Sequence, residues 1–124
     1  MIGFDYQGRV GEWVRECFGA DAPYDKAERA HRFLEEAIEL YQATGQSKEN
    51  ALKLVDYVFA RPVGEQFQEV GGVMVTLAAL CDACKIPMFD AASVELVRVW
   101  QKIDKIRAKN KAKQKNSALP GKVD

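Results

Sequence analysis

The stretch Glu65-Gln66-Phe67-Gln68-Glu69-Val70-Gly71-Gly72-Val73-Met74-Val75-Thr76-Leu77-Ala78-Ala79-Leu80-Cys81-Asp82-Ala83-Cys84-Lys85 decides the fold. At 100° per residue, Phe67, Val70, Met74, Leu77, Cys81 and Cys84 fall on one stripe of a helix. Val73, Leu80, Gly72, Ala79 and Thr76 make the opposite side nearly as apolar. A helix apolar all round is covered on both sides. The chain has 124 residues, room for one domain with one core. A monomer of that size can scarcely cover both sides of a helix this long, so part of the covering is expected from another subunit. A homo-oligomer, dimer or tetramer, is the expectation.

Outward from this segment the chain reads as helices throughout. Tyr6, Val10, Trp13, Val14, Cys17 and Phe18 recur at spacings of three and four, and Gly19 is placed to stop that first helix. A second helix is expected from Asp25 to Ala43, with Asp25 and Glu28 in the form of a capping box and Gly45 just beyond its end. Ser47 is placed to cap a third, which Arg61-Pro62-Val63-Gly64 breaks. After Pro87, Asp90 is expected to cap a fifth helix running through Val94, Val97, Trp100, Ile103 and Ile106 into a charged tail. No stretch alternates as a half-buried strand does. The expected fold is all-α, a helical bundle over residues 1–110 with a basic, flexible tail over 111–124.

Apolar residues form 48% of the chain and charged residues 29%, which excludes a disordered or collagenous protein. The longest run without charge, Val70 to Cys81, is short of the roughly 20 residues that span a bilayer. No basic segment followed by an apolar stretch opens the chain, and the three cysteines are odd in number. A cytoplasmic protein with reduced thiols and no membrane partner is expected. The net charge of zero divides into +6 over residues 101–124 and −6 over the rest. The Lys-rich end holds no aromatic residue for stacking on bases, so a solvated helix end is preferred to nucleic-acid binding.

Charge inside the body is more telling. Glu35, Glu36 and Glu39 share one surface of the second helix, away from Phe33, Leu34 and Ile38. Taken alone, such a trio reads as a solvated face paired with Arg32. Glu69 changes that reading, because it lies on the side of Gly72, Val73, Thr76 and Leu80, where a carboxylate is costly unless a cation or donor satisfies it. Acidic groups facing one another from two helices repel, and a hard divalent ion with oxygen ligands removes the repulsion. The pattern therefore reads as a Mg²⁺ site. Glycine inside a helix costs about 1 kcal/mol relative to alanine. Gly71-Gly72 should accordingly have a reason, such as close approach by another helix or a ligand.

Glu35-Glu36-Ala37-Ile38-Glu39-Leu40, then Glu69-Val70-Gly71-Gly72-Val73-Met74-Val75 and Leu77-Ala78-Ala79-Leu80, resembles the MazG-like all-α nucleoside triphosphate pyrophosphohydrolases. Within that family the resemblance runs closest to the small phage MazZ-type dATP/dGTP diphosphohydrolases. It covers about residues 25–107 and rests on E-E-x-x-E on one helix and E-x-x-D on another. It implies an oligomer, dependence on Mg²⁺ with Mn²⁺ as a substitute, and cleavage of a purine (d)NTP to the (d)NMP and pyrophosphate, in the host cytoplasm if the protein is phage-encoded. Position 72 is Gly where the second motif has Asp. Water, substrate phosphate or another acid must replace that ligand, and Asp56 on the third helix is the substitute candidate. The 29 residues between Glu39 and Glu69 are a long gap for the family.

The metal ligands expected are thus Glu35, Glu36, Glu39, Glu69 and Asp56, with Glu36 and Glu39 as catalytic carboxylates and Glu36 the candidate general base. Lys102, Lys105 and Arg107 are candidates for the remaining phosphate charge, and Trp13 for flanking the nucleobase. Two alternatives stay open. One is a MazG-type enzyme for another substrate such as dCTP or dUTP; the other is a non-enzymatic helical oligomerisation module, which has no need of Glu69. Cys81-x-x-Cys84 lacks a second cysteine pair and reads as core, and His31 as structural or surface. No P-loop or Gly-x-Gly-x-x-Gly motif is present.

Overall fold

The computed structural model describes residues 2–112 and 118–119. Among them the chain is all helical: α1 (Ile2–Phe18), a 3₁₀ turn (Ala22–Tyr24), α2 (Lys26–Ala43), α3 (Lys48–Phe59), α4 (Gln66–Cys84), α5 (Met88–Gln101) and α6 (Ile103–Ala112). The expected all-α class is met. Most of the basic tail at 111–124 lies outside the described residues.

Helix ends follow local chemistry. Gly19 and Gly45 take positive φ, 102° and 89°, after α1 and α2. Asp25 Oδ1 accepts the Glu28 N–H at 3.1 Å, and Ser47 Oγ accepts the Asn50 N–H at 3.1 Å. Glu65 caps α4 through its carboxylate, which accepts the Gln68 N–H at 2.8 Å. At the far end Lys85 adopts φ 58°, and the Ile86 N–H reaches back to the Cys81 carbonyl at 2.8 Å.

Two expectations about the C-terminal helix need correction. It begins at Met88 after Pro87, with Asp90 in the first turn and not at the cap. It also divides at Lys102, whose φ of −112° leaves the helical region and whose N–H is shared between the Arg98 and Val99 carbonyls. No Gly or Pro marks this break. Near it, carbonyls on both sides of Lys102 receive donors from α1: Trp13 Nε1–H reaches Val99 and the Cys17 thiol reaches Ile103.

The chain separates into two compact units, one of residues 1–32 with 87–124, the other of residues 33–86. In the first, α1 packs on α5 and α6. Tyr6 Oη donates to Ala92, Trp13 Nε1 to Val99 and Cys17 Sγ to Ile103, three contacts separated by the same 86 residues. A constant offset along helices of equal rise means that α1 and its partners run parallel. Val14 and Cys17 are the buried hydrophobic residues of the described chain, at 6% and 4% exposure. The Trp13 ring meets Phe18 edge to face at 5.5 Å.

The second unit consists of the larger part of α2 with α3 and α4. None of its residues is buried within the chain. Sixteen of the twenty-two large hydrophobic side chains that stand exposed among the described residues belong to it, with Phe59 at 85% and Phe67 at 86%. By length and composition alone, α4 would also be long and apolar enough to cross a membrane.

Candidate functional site

The acidic trio takes its placement from α2, an unbroken helix from Lys26 to Ala43. Three and four residues separate Glu39 from Glu36 and Glu35, so the carboxylates sit on neighbouring turns of one surface. Glu35 is half-buried, whereas Glu36 and Glu39 are exposed. Two turns earlier on the same helix, the Glu28 carboxylate lies 3.6 Å from Arg32 Nε and 3.7 Å from Arg29 Nη2. Arg32 also donates through Nη2 to the Ala118 carbonyl.

Glu69 occupies the first turn of α4. Its carboxyl is laid over Gly64, where an added Cβ would stand 3.1 Å from Cδ and 3.2 Å from Oε2. The side chain was expected inside an apolar layer; within one chain it is exposed. Its position in the first turn carries its own physical reason, because the positive end of the helix dipole favours an acid there. Glu69 therefore does not by itself separate an enzyme from an assembly module.

Gly72 stands where the resembling family has Asp, and a Cβ built on it meets nothing within 4 Å. The chain thus has room for a side chain that the sequence does not supply. Asp56 is exposed on α3, and its carbonyl accepts the Ala60 N–H. Among the described residues, no group of three or more His, Cys, Asp or Glu side chains is gathered closely enough to hold a metal ion.

The candidate cations and the candidate aromatic wall all belong to the unit of residues 1–32 and 87–124, while the acidic candidates belong to the other. Arg107 caps the C-terminal end of α1: Nε donates to the Cys17 carbonyl at 3.1 Å and Nη2 to that of Glu16. A guanidinium at the negative end of a helix is well placed structurally. Lys102 is the exposed residue between α5 and α6, and Lys105 is exposed on α6. Trp13 directs its indole N–H to Val99 at 3.2 Å, as a packed side chain does. Cys17 is a buried thiol whose pKa is raised by burial. Cys81 is half-buried and Cys84 exposed, so the expected core placement of the Cys-x-x-Cys pair is not met within one chain.

Sequence reasoning missed a polar cleft of about 270 Å³ lined by Phe18, Asp21, Asp25, Glu28, Arg29 and Asn110. The Arg29 guanidinium lies 5.1 Å from the Phe18 ring centroid, a cation–π distance. No spacing rule announces this cleft, which depends on a turn, two helix ends and a residue about 80 positions away. Compared with protein-family models, curated proteins and solved structures, the chain matches none.

Proposed function

We propose that this protein is a Mg²⁺-dependent nucleoside triphosphate pyrophosphohydrolase of MazG-like fold, a helical bundle completed by oligomerisation. The carrying observation is that Glu35, Glu36 and Glu39 share one surface of the unbroken helix α2, while Glu69 stands on a second helix of the same unit. Within one chain these carboxylates are not gathered into a metal-binding group; brought together on oligomerisation, the four would hold the ion, with Asp56, water or substrate phosphate oxygens making up the set that Gly72 leaves short. Bound there, Mg²⁺ would offset triphosphate charge and lower the pKa of a water that attacks phosphorus. Glu36 would accept the proton of that water and Glu39 would help to orient it. A purine deoxynucleotide is the proposed substrate, on the strength of the MazZ-type resemblance.

The test is product analysis with each of the four ribo- and four deoxynucleoside triphosphates, with and without a divalent cation. Pyrophosphate release that requires the cation is expected; orthophosphate as first product, or full activity in excess chelator, overturns the proposal. A pyrimidine preferred tenfold or more, about 1.4 kcal/mol in transition-state binding, would move the substrate to dCTP or dUTP. Glu39→Gln and Glu69→Gln should each lower kcat on the order of 100-fold or more with helicity unchanged.

A second reading is favoured by the first-turn position of Glu69 and by the uncovered apolar surfaces of residues 33–86. On that reading the chain is a helical oligomerisation module without catalysis. Wild-type turnover in Glu69→Gln would return α4 to assembly alone.

A further inference from the structure

We propose that residues 33–86 are a self-association surface that acquires its hydrophobic core only from the same segment of a second copy, so that folding of this unit and oligomerisation are one event. This specifies where the proposed oligomer forms. The nucleotide reading is not needed for it.

Within one chain the unit contains three helical segments and no buried residue. An isolated helix shorter than about 12 to 15 residues is marginal in water, and most helical stability in proteins comes from packing an apolar face. The twelve residues of α3 bury no side chain inside the unit, and Leu54, Val55, Val58 and Phe59 are all apolar and exposed. On α4 the exposure reaches both sides, with Phe67 and Val70 on one stripe and Val75 well away from it. At roughly 100 Å² for each half-exposed large side chain, the sixteen amount to on the order of 1,500 Å² per chain, against about 800 Å² per partner in a standard interface. The surface therefore exceeds what a stable dimer needs.

Gly71 and Gly72 supply an independent observation. A Cβ at either position meets nothing within 4 Å, so no close approach among the described residues accounts for two glycines in mid-helix. An approaching helix of a second molecule would account for them.

A second copy suits this surface better than a bilayer. Among the described residues, only α4 is both long and apolar enough to cross a membrane. The apolar side chains of α3 alternate with Lys53 and Asp56 on a helix of twelve residues, or about 18 Å, too short for a hydrocarbon core of about 30 Å. A bilayer-spanning arrangement would leave that face uncovered. The need for cover is permanent, because the unit has no core of its own. A copy of the same chain is always present at equal concentration, and a two-fold arrangement lets each apolar surface cover the other.

The experiment is light scattering and hydrogen exchange on the full chain, diluted from roughly 100 µM to 1 µM without lipid, with parallel arms that add zwitterionic phosphatidylcholine vesicles or an unrelated protein. A homo-oligomer is expected whose dissociation on dilution coincides with loss of exchange protection in α3 and α4. Val70→Asp and Val55→Asp should each move the dissociation midpoint to at least tenfold higher concentration. A monomer at every concentration overturns the proposal, whether residues 33–86 are protected, unprotected until another protein is added, or protected only on zwitterionic phosphatidylcholine vesicles. An oligomer that dissociates while α3 and α4 stay protected overturns it as well. No activity is read in this experiment, so its failure refutes the interface and leaves pyrophosphate release to the product analysis above, whose failure in turn leaves the interface standing.

Discussion

Residues 1–32 with 87–124 and residues 33–86 are built from helices of similar length but reach stability by different routes. In the first region α1 lies parallel to its partners, Val14 and Cys17 are buried, and side chains from α1 donate to carbonyls 86 residues away. In the second, helix ends are equally well capped, by Ser47 and Glu65, yet no side chain is buried within the chain. Capping satisfies backbone groups and contributes about 1 kcal/mol per cap. It does not remove apolar surface from water, which is the larger source of folding free energy. The second region is therefore specified locally, and its apolar surface stays open to solvent within the chain.

That contrast makes the two regions respond differently to mutation. The largest effect within the first region is expected from Val14→Ala, which removes two buried carbon groups and should lower stability by about 2 kcal/mol. Hydrogen exchange should quicken in α1 and α5 while α3 and α4 keep their protection. Equal quickening in both regions would show that they unfold as one and break the comparison.

Arg107→Ala comes next. It removes the guanidinium from the Cys17 and Glu16 carbonyls, and for a group partly open to solvent a loss of about 1 kcal/mol is expected. Thermal melting measures the loss. Arg107→Lys should recover only part of it, because an ammonium lacks the planar fork. A fall in nucleotide affinity with unchanged melting would instead assign Arg107 to substrate.

The smallest effect concerns pH. Glu95 holds Arg98 on α5, with Oε1 accepting from Nε at 2.8 Å, and this hydrogen bond lowers the carboxyl pKa below its ordinary 4.5 against the opposing effect of burial. A depressed folded-state pKa gives stabilisation that is present above about pH 4.5 and is lost as pH falls through the lower folded value. The pair is exposed, so a few tenths of a kcal/mol is the expected size. Glu95→Gln should flatten the acid limb of the melting curve by that amount, and a steeper limb would contradict the assignment.

Local features were legible because their causes lie within a few residues. The stops at Gly19 and Gly45, the Ser47 cap and the break before Gly64 each follow from backbone freedom, a side-chain acceptor or proline, none of which needs a distant partner. The all-round apolar character of α4 was equally legible, as was the shared face of Glu35, Glu36 and Glu39, since both follow from helical periodicity alone. Of the candidate site, the sequence could place these acids on helices, but it could not say what each would face.

Only the tertiary structure decided the rest. The division at Lys102 has no breaker residue and arises where Trp13 and Cys17 reach carbonyls of the C-terminal helices. Trp13 and Arg107 had the chemistry of a base wall and a phosphate cation, and their N–H groups are directed to carbonyls instead. Glu69 was expected in an apolar layer and is exposed. Period and capping act over one or two turns, whereas a donor's choice of acceptor depends on which helix lies alongside. That neighbour is set by packing among residues nearly ninety positions apart.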